Sequence, residues 1–375
     1  MNHGWEKKRL GDVCQINFGK RIVAKDTPPG PYYVYGGGGA TFTTMDYNRE
    51  NCMIVSRFAM SPECVRFVRG RFFLNDSGLS VQSNNGLLTQ EFVEKYLWAI
   101  QPQIYNLGRG AAQKNLNTKS FSEMTIPIPA VEVQRQIVSE LDKINEMLEV
   151  KRGQLKDLDM LSQSLFYEMF GDPIENPQGW EMKQLKEVLY KIGSGATPRG
   201  GKQSYQGGNI SLIRSLNIYN SYFKYNELAK ITDDQAYELR NVEVQDNDVL
   251  LNITGASVAR CFIVPKDTLP ARVNQHVAIL RPNNKFILSK FLHRLLTTTS
   301  LQNFLIETAR AKNATREALP KATLEMIKII LPPISMQEEF SVRVEAIEGQ
   351  KRVIESTISD LEVLLASRMD YWFND

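Results

Sequence analysis

The sequence predicts an α+β protein of duplicated design: two tandem heads of mixed helix and strand, separated by two long antiparallel coiled-coil helices and related by a pseudo-two-fold. Three observations carry that prediction. Gly4, Trp5, Glu6, Lys8, Leu10 and Val13 recur as Gly179, Trp180, Glu181, Lys183, Leu185 and Val188, a GWExKxLxxV pattern offset by 175 residues. The run IPIPAVEVQ ending at Gln134 is answered by IILPPISMQ ending at Gln337, offset by 203 residues. Each run then opens a stretch of heptad-spaced apolar residues, so the order of parts is head, helix, head, helix. The boundaries fall at 1–130 for the first head, 131–170 for the first long helix, 171–178 for a linker, 179–333 for the second head and 334–375 for the second helix.

The helices are legible almost residue by residue. Ile137, Leu141, Ile144, Leu148, Lys151, Leu155, Leu158, Ser162, Leu165 and Met169 alternate spacings of four and three, the a/d seam of a coiled coil. Shifted by 203, the same register gives Phe340, Val344, Ile347, Lys351, Ile354, Ile358, Leu361, Leu365, Arg368 and Trp372, and eight of ten are apolar in each copy. Ser335 and Glu338 fit a capping box at the start of the second helix, after Pro332 and Pro333. GDPIENPQG, with Pro173 and Pro177, stops the first. Two seams of equal length bury each other most simply, and a chain that climbs one helix to the second head must come back along it. The 36 residues from Gln134 to Met169 span about 54 Å, so the heads are expected roughly 50 Å apart, about one and a half turns of B-DNA.

Within the heads, short β-type runs are broken by Gly, Pro and Asn. CMIVSRF, VRFVRGRFFL and LSVQS predict successive strands in the first head, and DVLLNIT, RCFIVP and HVAILRP in the second. Helical patterns follow at 90–101 and at 286–306. The tetraglycine Gly36–Gly39 lacks the GxxxxGK[ST] context of a phosphate-binding loop and predicts a tight turn.

Charge is distributed in blocks. Residues 1–130 carry 15 Lys and Arg against 10 Asp and Glu, residues 131–178 carry 5 against 10, residues 179–335 carry 21 against 13, and residues 336–375 carry 4 against 9. Basic heads alternate with acidic spacers, although the whole chain has a net charge of only +3. Basic heads suit phosphate neutralisation, whereas acidic spacers would be repelled by a nucleic acid and must face something else. The start MNHGWEKKRLGDV has no apolar core of a signal peptide, and no stretch approaches the roughly 20 apolar residues of a membrane span, so the chain is expected in the cytoplasm with no membrane partner.

No reaction centre is evident. Cys14, Cys52, Cys64 and Cys261 have no CxxC spacing, and His3, His276 and His293 stand apart from any metal-ligand spacing, so neither metal nor catalytic residue is assigned. Asp246 and Asp248 in QDND are read as a turn between strands. ENPQG at 175–179 only superficially resembles an adenine-methyltransferase Asn-Pro-Pro-aromatic motif. Candidate nucleic-acid contacts follow from residue type and loop placement. In the first head they are Lys20, Arg21, Arg57, Arg66, Arg69 and Arg71, and in the second Arg260, Arg272, Asn274 and Gln275. Arg suits bidentate contact with guanine, and Lys suits phosphate.

With those motifs in hand, the chain resembles the specificity subunit of Type I restriction-modification systems over nearly its whole length. The resemblance rests on the tandem order, on the GWExKxL openings and on the IPLPPxxxQ-like entries to each helix. SGATPRGGKQSYQGGNISLIRSLNI in the second head is similar to a common start of that family's target-recognition domain, which adds Arg199, Lys202 and Arg214 as contacts. The first head departs from that version, with NFGKRIVAKD and PYYVYGGGGATF, closer to another with a YGGxG turn. The resemblance implies a non-catalytic reader of a bipartite site in double-stranded DNA, assembled with two methyltransferase and two restriction subunits. S-adenosylmethionine, ATP and Mg²⁺ would be held by those partners, which flip and methylate adenine at N6. Two other readings remain open at this point: a duplicated scaffold whose basic heads bind acidic proteins and whose helical hairpin oligomerises, or an enzyme with an unrecognised nuclease site.

Overall fold

A computed structural model of the chain describes residues 4–84, 86–111, 113–198, 205, 207–310 and 317–374. Its contacts divide the chain into two compact units, Met1–Arg152 with Ser356–Asp375, and Gly153–Glu355. Each is a mixed assembly of helix and sheet.

The first unit carries β1 (Lys7–Arg9), α1 (Leu10–Val13), β2 (Cys14–Phe18), β3 (Tyr32–Tyr35), β4 (Ala40–Thr44), β5 (Arg49–Ser56), β6 (Val65–Leu74), β7 (Gly78–Ser83), α2 (Gln90–Ala99), α3 (Gln101–Asn106), β8 (Gly108–Arg109), β9 (Asn115–Leu116), α4 (Thr118–Glu123) and β10 (Thr125–Pro127). A six-stranded sheet runs in the order β2-β7-β5-β6-β3-β4, antiparallel except for the β3–β6 pair. Its middle strand β5 is buried from Cys52 to Ser56, and the pleat sends alternate residues to opposite faces. Met53 and Val55 enter the main core with Phe92, Leu97 and Phe121, while Cys52 and Ile54 pack with Val68, Phe72 and Leu74. The strands of the predicted runs CMIVSRF and VRFVRGRFFL are therefore held by two cores at once, while that of LSVQS enters the main core alone.

The long helix α5 (Val131–Phe170) follows. Gly171, with φ of +75°, takes the left-handed conformation that ends such a helix, and its N–H donates to the Tyr167 carbonyl at 2.9 Å.

The second unit carries β11 (Met182–Gln184), α6 (Leu185–Val188), β12 (Leu189–Ser194), β13 (Ile210–Ile213), β14 (Ala229–Ile231), α7 (Asp233–Glu238), β15 (Glu243–Val244), β16 (Val249–Asn252), β17 (Cys261–Ile263), β18 (Ala271–Val273), β19 (Val277–Pro282), α8 (Ser289–Leu296), α9 (Thr299–Arg310), α10 (Lys321–Met326) and β20 (Lys328–Ile330). One sheet runs β12-β19-β16-β17 and another β14-β13-β18-β15, the latter with a parallel β13–β18 pair. Alternation again splits the apolar runs: Val249, Leu251, Ala278 and Leu280 face one core, Leu250, Val277 and Ile279 the other. The turn predicted at QDND is present, with buried Asp248 accepting from the Gln245 N–H and from both Nε and Nη2 of Arg281.

The duplication is visible in backbone detail. β1 pairs antiparallel with β10 as β11 does with β20, and Gly4 and Gly179, ahead of the two tryptophans, both adopt left-handed φ, +66° and +67°. No L side chain adopts that conformation comfortably, which is why glycine precedes tryptophan in both copies.

Two expectations change. The pattern at 286–306 is two helices, because Thr297 and Thr298 turn their hydroxyls back to the carbonyls of His293 and Leu295 and interrupt the ladder. The last helix, α11 (Ile334–Phe373), starts one residue before the expected Ser335 cap. Pro333 already supplies the first acceptor, taking the N–H groups of Met336 and Gln337.

Both units contain pieces of the two long helices. In the first, Ile137, Leu141, Ile144 and Leu148 share a core with Ile358, Leu361, Leu365 and Trp372, and Glu140 holds Arg368 and Trp372. In the second, Leu158, Leu165 and Met169 share a core with Phe340, Val344 and Ile347, and Asp159 holds Lys351 at 2.8 Å. Leu155 and Ile354 are half-buried. Among the described residues no helix is long and apolar enough to cross a membrane.

Candidate nucleic-acid interface

In the first unit four chain segments meet at the ends of β2, β3, β5 and β6. The Arg57 N–H donates to Ser77 O at 2.8 Å, the Lys20 N–H to Leu74 O at 2.9 Å, and the Ser56 hydroxyl to Gly37 O at 2.6 Å. The tetraglycine is the turn between β3 and β4, with Gly39 at φ of +120°. A Cβ at Gly37 would stand 2.7 Å from Phe58 O, so this close approach of two backbones requires glycine there.

Arg57 is half-buried at this junction. Its guanidinium carbon lies 4.9 Å from the ring centroid of Phe18 and 4.6 Å from that of Phe58. Both rings are large apolar groups left in water, at 52% and 37% exposure. Arg66, also half-buried, donates through Nη2 to Gly37 O and Glu63 O, while Lys20 and Arg21 are exposed. Arg69 and Arg71 are exposed but belong to another place, the bulge where the Gly70 N–H donates to Asn51 Oδ1. There Arg71 is engaged by Glu50 at 3.3 Å and lies over the Tyr47 ring.

The corresponding end of the second unit gathers the segments after β13, β16 and β18. Half-buried Arg214 lies over Tyr205, donates to Glu227 O, and has a buried Nε without a partner among the described residues. Half-buried Arg260 lies 4.6 Å over Tyr219, which is itself stacked on Tyr222 with centroids 4.4 Å apart. Exposed Gln275 touches His276 Nε2, and His276 Nδ1 meets the Thr254 hydroxyl at 2.6 Å.

Arg272 and Asn274 are placed differently from a reader of bases. Arg272 is buried, its Nε and Nη1 spent on the carbonyls of Ala236 and Ala271 and its charge set 3.5 Å from Glu243. Asn274 is buried and caps the turn by accepting the His276 N–H. A guanidinium committed to internal acceptors ties α7 to β18 and has little left for a duplex. Arg199 and Lys202 lie outside the described residues. Phe18, Phe58, Tyr219, Tyr222, Thr254 and His276 join these clusters without a sequence signal beyond residue type, since the pairings Arg57–Phe18, Arg260–Tyr219 and Thr254–His276 join residues far apart in the chain.

The reactive groups are quiet. Burial pushes the Cys14 thiol up to about 12 and those of Cys52 and Cys64 to about 11, the opposite of an activated nucleophile. Burial pushes His293 down to about 3, so its ring is neutral and Nε2 donates to Asn220 O and Cys261 O. Among the described residues no three His, Cys, Asp or Glu converge on a possible metal position.

Two sheet-based heads, each presenting arginines on aromatic rings at one loop-rich end, define a tandem α+β binding protein. A family model for the Type I restriction modification DNA specificity domain matches residues 2–159 and 177–362, and the chain belongs to that family. It is 23% identical over 275 residues to the Type I restriction enzyme EcoBI specificity subunit of Escherichia coli, an alignment covering 66% of this chain and 56% of that protein. Thus it spans just over half of that relative. It is also 23% identical over 408 residues to the MjaIX specificity subunit of Methanocaldococcus jannaschii, covering 93% of this chain and 89% of that one. In fold it is similar to the crystal structure of the S subunit of a Type I restriction-modification system from M. genitalium, with a TM-score of 0.59 at 17% identity, covering 99% and 96% of the two chains.

Proposed function

We propose that this chain is a sequence-specific, non-catalytic DNA-binding subunit. It reads a bipartite target in double-stranded DNA and directs Type I adenine-N6 methylation and restriction carried out by partner subunits. The observation that carries the reading is the paired loop-rich end of each unit, where Arg57 in one rests on the exposed rings of Phe18 and Phe58 and Arg260 in the other rests on half-buried Tyr219, itself stacked on exposed Tyr222. Membership of the specificity-domain family supports it.

In this reading residues 1–130 and 179–333 are two target-recognition domains that read different half-sites, and 131–170 and 334–375 are the spacer helices. The helices form an antiparallel coiled coil, the heads stand at its two ends about a pseudo-two-fold, and the coil fixes the gap between half-sites. Two methyltransferase subunits and two restriction subunits complete the assembly. S-adenosylmethionine, ATP and Mg²⁺ belong to those partners, and the complex works in the cytoplasm. Lys20, Arg21, Arg57, Arg66, Arg69, Arg71, Arg199, Lys202, Arg214, Arg260 and Gln275 are the proposed DNA contacts.

The test is an exchange of residues 1–130 for the corresponding head of a relative, followed by mapping of methylated adenines. One half-site should change and the other should persist. An unchanged methylated sequence would refute the assignment of readout to the heads, and Mg²⁺-dependent cleavage by the isolated chain would favour a nuclease instead.

A further inference from the structure

We propose that Arg57 reads a guanine in the half-site recognised by the first head, an inference that rests on the DNA-reading function proposed above. The argument starts from how the guanidinium is held. Its backbone is fixed on both sides: the Arg57 N–H donates to Ser77 O and the Arg57 carbonyl accepts from the Leu116 N–H, each at 2.8 Å. Its charged end lies over the Phe18 and Phe58 rings, with one long bond from Nη1 to Asp76 O at 3.3 Å. Aromatic rings satisfy the face of a guanidinium without using its N–H edge, so Nε and Nη2 keep their donors.

No carboxylate pairs with Arg57 among the described residues, which sets it apart from Arg71 beside Glu50. An unpaired cation would ordinarily swing freely in water. Here it is pinned at the centre of a four-segment junction, with the entropy cost of ordering it already met by folding. Freely exposed Lys20 and Arg21 follow Phe18 by two and three residues and form a rim suited to phosphate. A pre-ordered fork with a free edge, set inside such a rim, matches a pair of coplanar acceptors. In a duplex the major-groove O6 and N7 of guanine present that pair.

The experiment selects randomised DNA duplexes with the purified full chain and with its Arg57→Ala and Arg57→Gln variants, and sequences what is retained. The unsubstituted chain should fix a guanine within one half-site. Arg57→Ala should lose that preference by about ten- to a hundred-fold while the other half-site is still selected, which also certifies that the variant is folded. Arg57→Gln should shift the same position toward adenine, the base whose edge an amide matches. If Arg57→Ala weakens all sequences alike, with a shallower dependence on salt, Arg57 contacts phosphate and the inference is overturned. Loss of a base other than guanine overturns it equally. A chain that selects no sequence at all would overturn the proposed function, and this inference with it.

Discussion

Gln134 and Gln337 make the same three hydrogen bonds. The Gln134 Oε1 accepts from the Thr89 N–H at 2.7 Å and its Nε2 donates to Leu87 O and Pro129 O, both at 2.8 Å. The Gln337 Oε1 accepts from the Leu288 N–H at 2.9 Å and its Nε2 donates to Phe286 O and Pro332 O at 3.0 and 2.9 Å. Both side chains are fully buried, at 0% exposure. Each fastens the first turn of a long helix to the loop before a head's own helix. The conspicuous glutamine that closes the repeated proline-rich motif is therefore a clamp made of backbone acceptors and donors.

Removing either clamp should be costly. Gln134→Ala and Gln337→Ala each leave one buried N–H and two carbonyls unsatisfied, and each should lower unfolding free energy by about 2–4 kcal/mol. Urea titration followed by circular dichroism measures this, and a change below about 0.5 kcal/mol would refute the clamp.

Glu140 gives the first unit a pH dependence. Hydrogen bonds from Arg368, and then from Trp372 at 3.1 Å, hold its carboxyl below the usual glutamate range. A carboxylate with a depressed folded pKa adds stability above its unfolded pKa and loses it as the pH falls through the folded value. The stability difference between the unsubstituted chain and Glu140→Gln should therefore be present at neutral pH and shrink below about pH 4.5. A difference that stays constant down to pH 3 would show that the ion pair contributes nothing to it.

The His293 ring should stay neutral across the physiological range. Its folded pKa of about 3 lies below the ordinary 6.5, so the unfolded chain binds the proton first and stability declines as the pH falls from about 6.5 toward 3. Nuclear magnetic resonance of the imidazole nitrogens should show Nε2 protonated and no titration between pH 8 and 5. A midpoint near 6.5 would mean that the ring is open to water.

Lys20 and Arg21 should act as phosphate contacts. Their joint replacement by alanine should weaken binding to all DNA sequences alike and reduce the slope of log affinity against log salt by roughly two. Fluorescence anisotropy across a salt series reads both quantities. A change of base preference with an unchanged slope would contradict that role.

Sequence periodicity reported what depends on neighbours in the chain. Every apolar residue of the two heptad seams is buried or half-buried, and the predicted runs around Met53, Phe72, Leu250 and Ile279 are strands. The repeated Gly-Trp pair marks a backbone conformation that only glycine takes easily. What escaped was set by partners distant in sequence. Arg272 reads as a surface cation until Ala236 and Glu243 are brought to it, and Arg57 is one arginine among many until Phe18 closes on it. The break at Thr297 and Thr298 escaped for a local reason: threonine is compatible with a helix, and only its choice of acceptor decides otherwise.

The make-up of the first unit fixes an order of events at the ribosome. Trp5 stacks against Trp372 with centroids 6.2 Å apart, and Phe92 meets Phe373 at 5.7 Å. The head synthesised first thus keeps part of its interior open until residues 356–373 have left the exit tunnel, whereas the unit Gly153–Glu355 holds all of its own residues sooner. Translation runs from the first head to the second, and completion runs the other way.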